Sequence, residues 1–102
     1  MLDRAQYEIV DDFAARCEAV IVRQSHRYGR IDARLLRMTM ITNLPAPSEG
    51  PLFKLIRLNN PVALFCSFRY VVVTWRDVWE EMSDECKVLL ISDVLDCLAS
   101  NE

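Results

Sequence analysis

Along the first quarter of the chain, hydrophobic positions return every three or four residues: Ile9 and Val10, Phe13 and Ala14, Cys17, Val20 and Ile21. Glu8, Asp12, Arg16, Glu18 and Arg23 fall mainly between them, so the pattern predicts an amphipathic helix over residues 4–26. Asp3 stands where an N-cap is expected, and Gly29 in "RYGR" suits a left-handed residue closing the helix. The period then changes from helical to alternating. In "ARLLRMTMIT" (33–42), Leu36, Met38 and Met40 share one side and Arg37 and Thr39 the other, the pattern of a half-exposed strand. "NLPAPSEGP" (43–51) holds three of the four prolines and reads as a loop. "LFKLIRL" (52–58) alternates again, "NNPVALFCS" (59–67) fits a strand or a helical turn, and "FRYVVVTW" (68–75) is the strongest strand, rich in β-branched and aromatic residues. "RDVWEEM" (76–82) predicts a short helix or turn. Ser83 then caps a last helix with acids in its first turn and Leu90, Ile91, Val94, Leu95 and Leu98 as its inward stripe.

This order predicts one α+β domain over residues 1–102. An N-terminal and a C-terminal helix pack on one face of a small, mainly antiparallel sheet of three or four strands. A hydrophobic fraction of 52% supports a real core, and only two glycines argue against low complexity. No apolar run reaches the roughly 18 residues a spanning helix needs. The opening "MLDRAQYEIVDD" lacks the basic and apolar regions of a signal peptide. A cytoplasmic chain without membrane partners is expected. Cys17, Cys66, Cys86 and Cys97 form no C-x-x-C pair and sit in apolar company, as buried free thiols do.

Charge changes the picture further. Residues 23–75 carry eight Lys/Arg against two acids, and residues 76–102 carry two against eight. Two solvated faces that attract each other within the monomer account for such a split; so do two surfaces for charged partners.

In the last third, "RDVWEEMSDE" places Asp77, Trp79, Met82, Ser83 and Glu85 between a hydrophobic strand and an apolar helix with a polar cluster midway. This block resembles a phage metallopeptidase family, a minimal zincin-like group with a D-x-W-x-x-L-S-x-E segment followed by a helix bearing His-Glu-x-x-His. The opening helix and the "RIDARLLRMTM" strand fall in the order the resemblance implies. Aligned on that helix, Ser92 stands at the first histidine, Asp93 at the glutamate and Asp96 at the second histidine. Zinc needs two imidazoles one helical turn apart, and His26, the only histidine, lies in the N-terminal third. Without zinc, Asp93 has no metal-bound water to activate. The expectation is therefore no enzyme, no metal and no cofactor. Oxygen ligation of a hard cation such as Mg²⁺ by Ser92, Asp93 and Asp96 has few carboxylates to draw on. A Cys–His26 pair needs an exposed low-pKa thiol.

What the resemblance leaves is a non-catalytic protein-binding domain of phage or prophage origin. Its expected partner is a host protein, in the manner of a host-defence inhibitor. Trp79, Glu80, Glu81, Asp84, Asp93 and Asp96 are the expected contact residues, since tryptophan often anchors interfaces. Of the aromatic cluster Phe65, Phe68, Tyr70, Trp75 and Trp79, most are expected in the core, with Tyr70 inside, Trp79 partly exposed and Trp75 open to either placement. A nucleic-acid-binding module through Arg27, Arg30, Arg34, Arg37 and Arg57 is the first alternative, weakened by a net charge of −3. A residual metal-dependent hydrolase is the second. The high apolar fraction also suits a homodimer.

Overall fold

The computed structural model describes residues 4–100; Asp3, the expected N-cap, lies outside them. The described residues do not begin in a helix. Tyr7–Ile9 is a strand, β1. Tyr7, Ile9, Val10 and Phe13 satisfy a helical repeat and an alternation equally, and pairing with a neighbouring strand decides between them. Thr42 N donates to Gln6 O at 2.9 Å, and Gln6 N donates to the Asn43 side chain at 2.7 Å. Helix α1 (Phe13–Arg23) starts only after the Asp11–Asp12 turn and buries Phe13, Cys17, Val20 and Ile21, the predicted stripe. A break at Gln24 leads into a single turn, α2 (Ser25–Tyr28). Gly29 closes it in right-handed conformation (φ −60°), not the left-handed one expected. Glycine is required there because a Cβ would stand 2.5 Å from the Ser25 carbonyl oxygen.

Asp32 caps a 3₁₀ turn at Ala33–Leu35 by accepting from Arg34 N at 2.9 Å, which delays the next strand to Leu36–Ile41, β2. The Pro-rich segment is a loop, followed by β3 (Lys54–Arg57), a 3₁₀ turn at Val62–Phe65, and β4 (Tyr70–Trp75). A turn of helix, α3 (Arg76–Trp79), precedes α4 (Asp84–Ser100). Ser83 caps α4 as expected, its Oγ accepting from Cys86 N at 3.2 Å.

The sheet order is β1-β2-β4-β3. Both outer ladders are antiparallel. The central ladder, Leu36–Ile41 against Tyr70–Trp75, is parallel, so the sheet is mixed. A parallel pair needs a crossover, and here the loop after β2 together with β3 supplies it. Leu36, Met38, Met40 and Val72 point to one face, where they join Phe13, Cys17 and Ile21 of α1 and Leu90, Ile91, Val94, Leu95 and Leu98 of α4 in a single core. All five expected α4 stripe residues are buried.

Candidate functional site

Asp96, in the polar cluster on α4, serves a structural tie. Tyr28, 1% exposed, donates its hydroxyl to Asp96 Oδ1 at 2.7 Å, and Arg27 reaches the same oxygen at 2.7 Å. Burial raises the Tyr28 hydroxyl above the ordinary tyrosine range, and the Asp96 hydrogen bond raises it further. Asp93 is exposed and Ser92 half-buried. These residues do not fit a zinc ion, because Asp96 is committed to a tyrosine and an arginine whose cationic head would repel a metal. Among the described residues no three His, Cys, Asp or Glu side chains converge on one point. His26 is exposed on α2 and lines a shallow cavity of about 490 Å³ with Arg27 and Arg30, and no cysteine shares it. The cysteines correct another expectation: all are free, but only Cys17 is buried, while Cys86 and Cys97 are exposed. Burial pushes the Cys17 thiol up to about 12.

The acidic third is also rearranged. Trp79 is not partly exposed; it is a core residue, 4% exposed, meeting the Phe13 ring edge-on at 6.2 Å with Lys87 Nζ 4.9 Å from its ring centre. The helical turn of α3 swings it inward, so it cannot anchor a partner. Glu80 and Glu81 remain exposed beside a cavity of about 440 Å³ shared with Asp77 and Thr42–Pro45. Asp84 is engaged by Arg16 at 3.4 Å.

At the other end of the sheet, the starts of β2 and β4 and the end of β3 come together. Arg69 N donates to Leu35 O at 2.9 Å and Leu58 N to Arg69 O at 2.8 Å, which sets Arg69 level with Leu35 and Leu58 and brings Arg34 and Arg57, one residue away on each neighbouring segment, to the same end. Arg30 and Arg69 line one cavity of about 290 Å³. Arg37 leans over the Phe68 ring at 5.3 Å while donating to the carbonyls of Arg34 and Leu36. Four of the five expected arginines (Arg30, Arg34, Arg37, Arg57) thus gather at one end with Arg69, which the sequence reading had not singled out. Arg27 goes instead to Asp96. Arg34 pairs with Asp32, whose carboxyl it holds below the usual range. Among the described residues, Arg27–Asp96 is the only ion pair joining the basic middle of the chain to its acidic third. Phe65, one of an aromatic cluster expected mostly in the core, is 86% exposed, with Leu64 at 73% and Val62 at 54% beside it. Their 3₁₀ turn buries Ala63 and turns the three larger side chains outward.

The sheet face turned away from α1 and α4 carries Tyr7, Ile9, Thr39, Ile41, Val71, Val73 and Ile56 by register. Tyr7, Ile9 and Ile56 are exposed and the others half-buried; Trp75, at the end of that row, is buried. Arg37 and Lys54 are its only charges, and no carboxylate shares the register positions. The signal was present in "YVVVTW": a strand apolar at successive positions has the composition of one covered on both faces. Compared with protein-family models, with curated proteins and with solved structures, the chain finds no match.

Proposed function

We propose that the chain is a non-catalytic protein-binding domain. The scaffold is a metallopeptidase-like one that has lost its zinc chemistry, of phage or prophage origin, and it acts by occupying a host protein, as an inhibitor of host defence does. One observation carries the binding reading: an apolar sheet face with a single layer of helices behind it, covered at its Trp75 end but with Tyr7, Ile9 and Ile56 exposed and Val71 and Val73 half-buried between them. Domains are built from packed layers, and a bare apolar face of this kind marks an interaction surface. The two cations and no acid on that face favour an occupant with a carboxylate-flanked apolar stripe, and four strands span about 14 Å, wide enough for one helix. The contact surface therefore moves from the acidic third, where Trp79 is core, to the face of Val71 and Val73.

The test is capture of a partner by wild type and by a Val71→Asp/Val73→Asp variant whose thermal midpoint is checked. Loss of the partner in a folded variant supports the reading. Retention of the partner by that variant, or its loss only in Glu80→Lys/Glu81→Lys, overturns it. Sedimentation of the purified chain distinguishes a second copy as the occupant. A second reading, contact with a polyanion through the other end of the molecule, is favoured by the gathering of Arg30, Arg34, Arg37, Arg57 and Arg69.

A further inference from the structure

The exposed Val62, Leu64 and Phe65 sit at the tip of the connection between β3 and β4, with the arginines at its root. We propose that this end of the molecule seats on an anionic lipid surface, the tip entering the headgroup boundary and the arginines meeting lipid phosphates. The inference concerns a different surface from the bare sheet face and does not depend on the protein-binding reading; it names the polyanion for the second.

Several features lead to a bilayer and not to nucleic acid or protein. Residues 58–68, "LNNPVALFCSF", contain no charged side chain, while Arg57 and Arg69 bracket them. The turn knits its own backbone, with Ala63 N donating to Asn59 O, Leu64 N to Pro61 O and Cys66 N to Ala63 O. These donors are already satisfied where water is scarce, as entry into an interface requires. The turn holds Val62, Leu64 and Phe65 out in solvent, so a protein partner needs a matching pocket, whereas a headgroup layer deforms around any small apolar projection. Two of the three tip residues are aliphatic. Phosphates and bases offer Val62 and Leu64 nothing, and stacking on nucleotides uses aromatic platforms, of which this tip has one ring. Acyl chains take all three side chains.

The charges fit the same orientation. Arg30, Arg57 and Arg69 have no carboxylate partner among the described residues, and Arg37 is held only by carbonyls and a ring. At the arginine end Asp32 is paired with Arg34, Asp96 with Arg27, and Asp11 lies beside Arg34 and Arg37, which leaves Arg30, Arg57 and Arg69 as the excess. Asp77, Glu80, Glu81, Asp84 and Glu85 lie past the opposite end of the parallel strands, so a negative surface draws in the arginine end and repels the other. No helix of the described residues is long and apolar enough to cross a membrane, and a peripheral seat of this kind needs none.

The experiment is co-sedimentation of the full chain with vesicles of phosphatidylcholine alone and of phosphatidylcholine with phosphatidylglycerol, at low and high salt. A single-stranded oligonucleotide is the competing probe. Binding to the anionic vesicles is expected to exceed binding to the neutral ones by about 10-fold or more and to fall with salt. Leu64→Ser/Phe65→Ser should lower it about 10-fold, with an unchanged thermal midpoint because both side chains face solvent. Arg57→Gln/Arg69→Gln should lose about fivefold per arginine. The proposal is overturned if wild type ignores anionic vesicles, if the serine variant binds them as well as wild type does, or if the oligonucleotide binds more tightly than vesicles and does so without regard to Leu64 and Phe65.

Discussion

Replacing Asp96 by alanine asks whether the polar cluster of α4 is a tie or a remnant of chemistry. In the folded chain Asp96 Oδ1 accepts from the Tyr28 hydroxyl and from Arg27, both at 2.7 Å. The tyrosine is buried, so the substitution strands a hydroxyl that water reaches poorly. A hydrogen bond to a charged group contributes about 1.5–3 kcal/mol, and the low end applies because Asp96 is itself 39% exposed. The Arg27 pair, more than half exposed on the arginine side, adds at most about 0.5 kcal/mol after solvent screening. Asp96→Ala should therefore cost about 2 kcal/mol. Tyr28→Phe removes the donor without leaving a buried polar group and should cost about 1 kcal/mol. The double variant should show coupling of about 1 kcal/mol. Urea unfolding followed by circular dichroism reads this as a midpoint shift of about 1 M for Asp96→Ala, given slopes of about 1–3 kcal/mol/M for domains of this size. A single-variant cost within about 0.5 kcal/mol of zero, or strict additivity, would refute the tie. The alkaline limb gives a second reading. Because the Tyr28 pKa is raised in the folded state, its contribution is whole below the ordinary tyrosine value near 10 and is lost as pH climbs through the folded value. Asp96→Ala, lacking part of the cause, should shift that loss to lower pH.

Other outcomes follow from the same packing. Trp79→Ala removes a core ring held against Phe13 and should cost about 3–5 kcal/mol in chemical denaturation, while Glu80→Lys, on an exposed side chain, should leave the midpoint nearly unchanged. Cys17, raised to about 12 by burial, contributes stability that is whole below about 8.5 and declines between there and pH 12, with a slope approaching about 1.4 kcal/mol per pH unit. Thiol titration at pH 8 should modify Cys86 and Cys97 rapidly and leave Cys17 untouched until the chain unfolds. Gly29→Ala forces a methyl against the Ser25 carbonyl and should cost about 1–3 kcal/mol by thermal melt, despite an ordinary φ.

Much of the scaffold was legible because two periods were clean. Leu36, Met38 and Met40 alternate without exception, and the α4 stripe from Leu90 to Leu98 keeps helical spacing beneath a serine cap, so both elements and their buried faces could be read directly. Tyr7 and Ile9 were misread because three residues cannot separate a period of 2 from one of 3.6, and the choice is made by β2, remote in sequence. Gly29 carried a real constraint, but a close approach to a carbonyl and a left-handed backbone leave the same trace in a sequence. Trp79 is buried where partial exposure was expected, and Phe65 stands outside a cluster expected mostly in the core, because burial of an aromatic depends on which way a single turn of helix faces. Asp96 looked free for the same reason: its tyrosine partner is 68 positions away. The gathering of Arg30, Arg34, Arg37 and Arg57 was visible as composition, but their meeting with Arg69 depends on the parallel register. The bare sheet face was visible in "YVVVTW" as a strand too apolar for one covered side.

The parallel pairing of β2 with β4 also bears on how the chain leaves a ribosome. Leu36 has its partner in Tyr70, about 34 positions later, and closing so long a segment carries an entropic cost that local contacts do not offset. Until then β1 and β2 form at most a two-stranded ribbon, marginal in water, with Leu36, Met38 and Met40 covered by α1 alone and not by β4 or α4. A nascent chain halted before residue 70 thus presents an unpaired β2 edge and a core that only α1 helps to hide, which makes it a natural client for a holding chaperone.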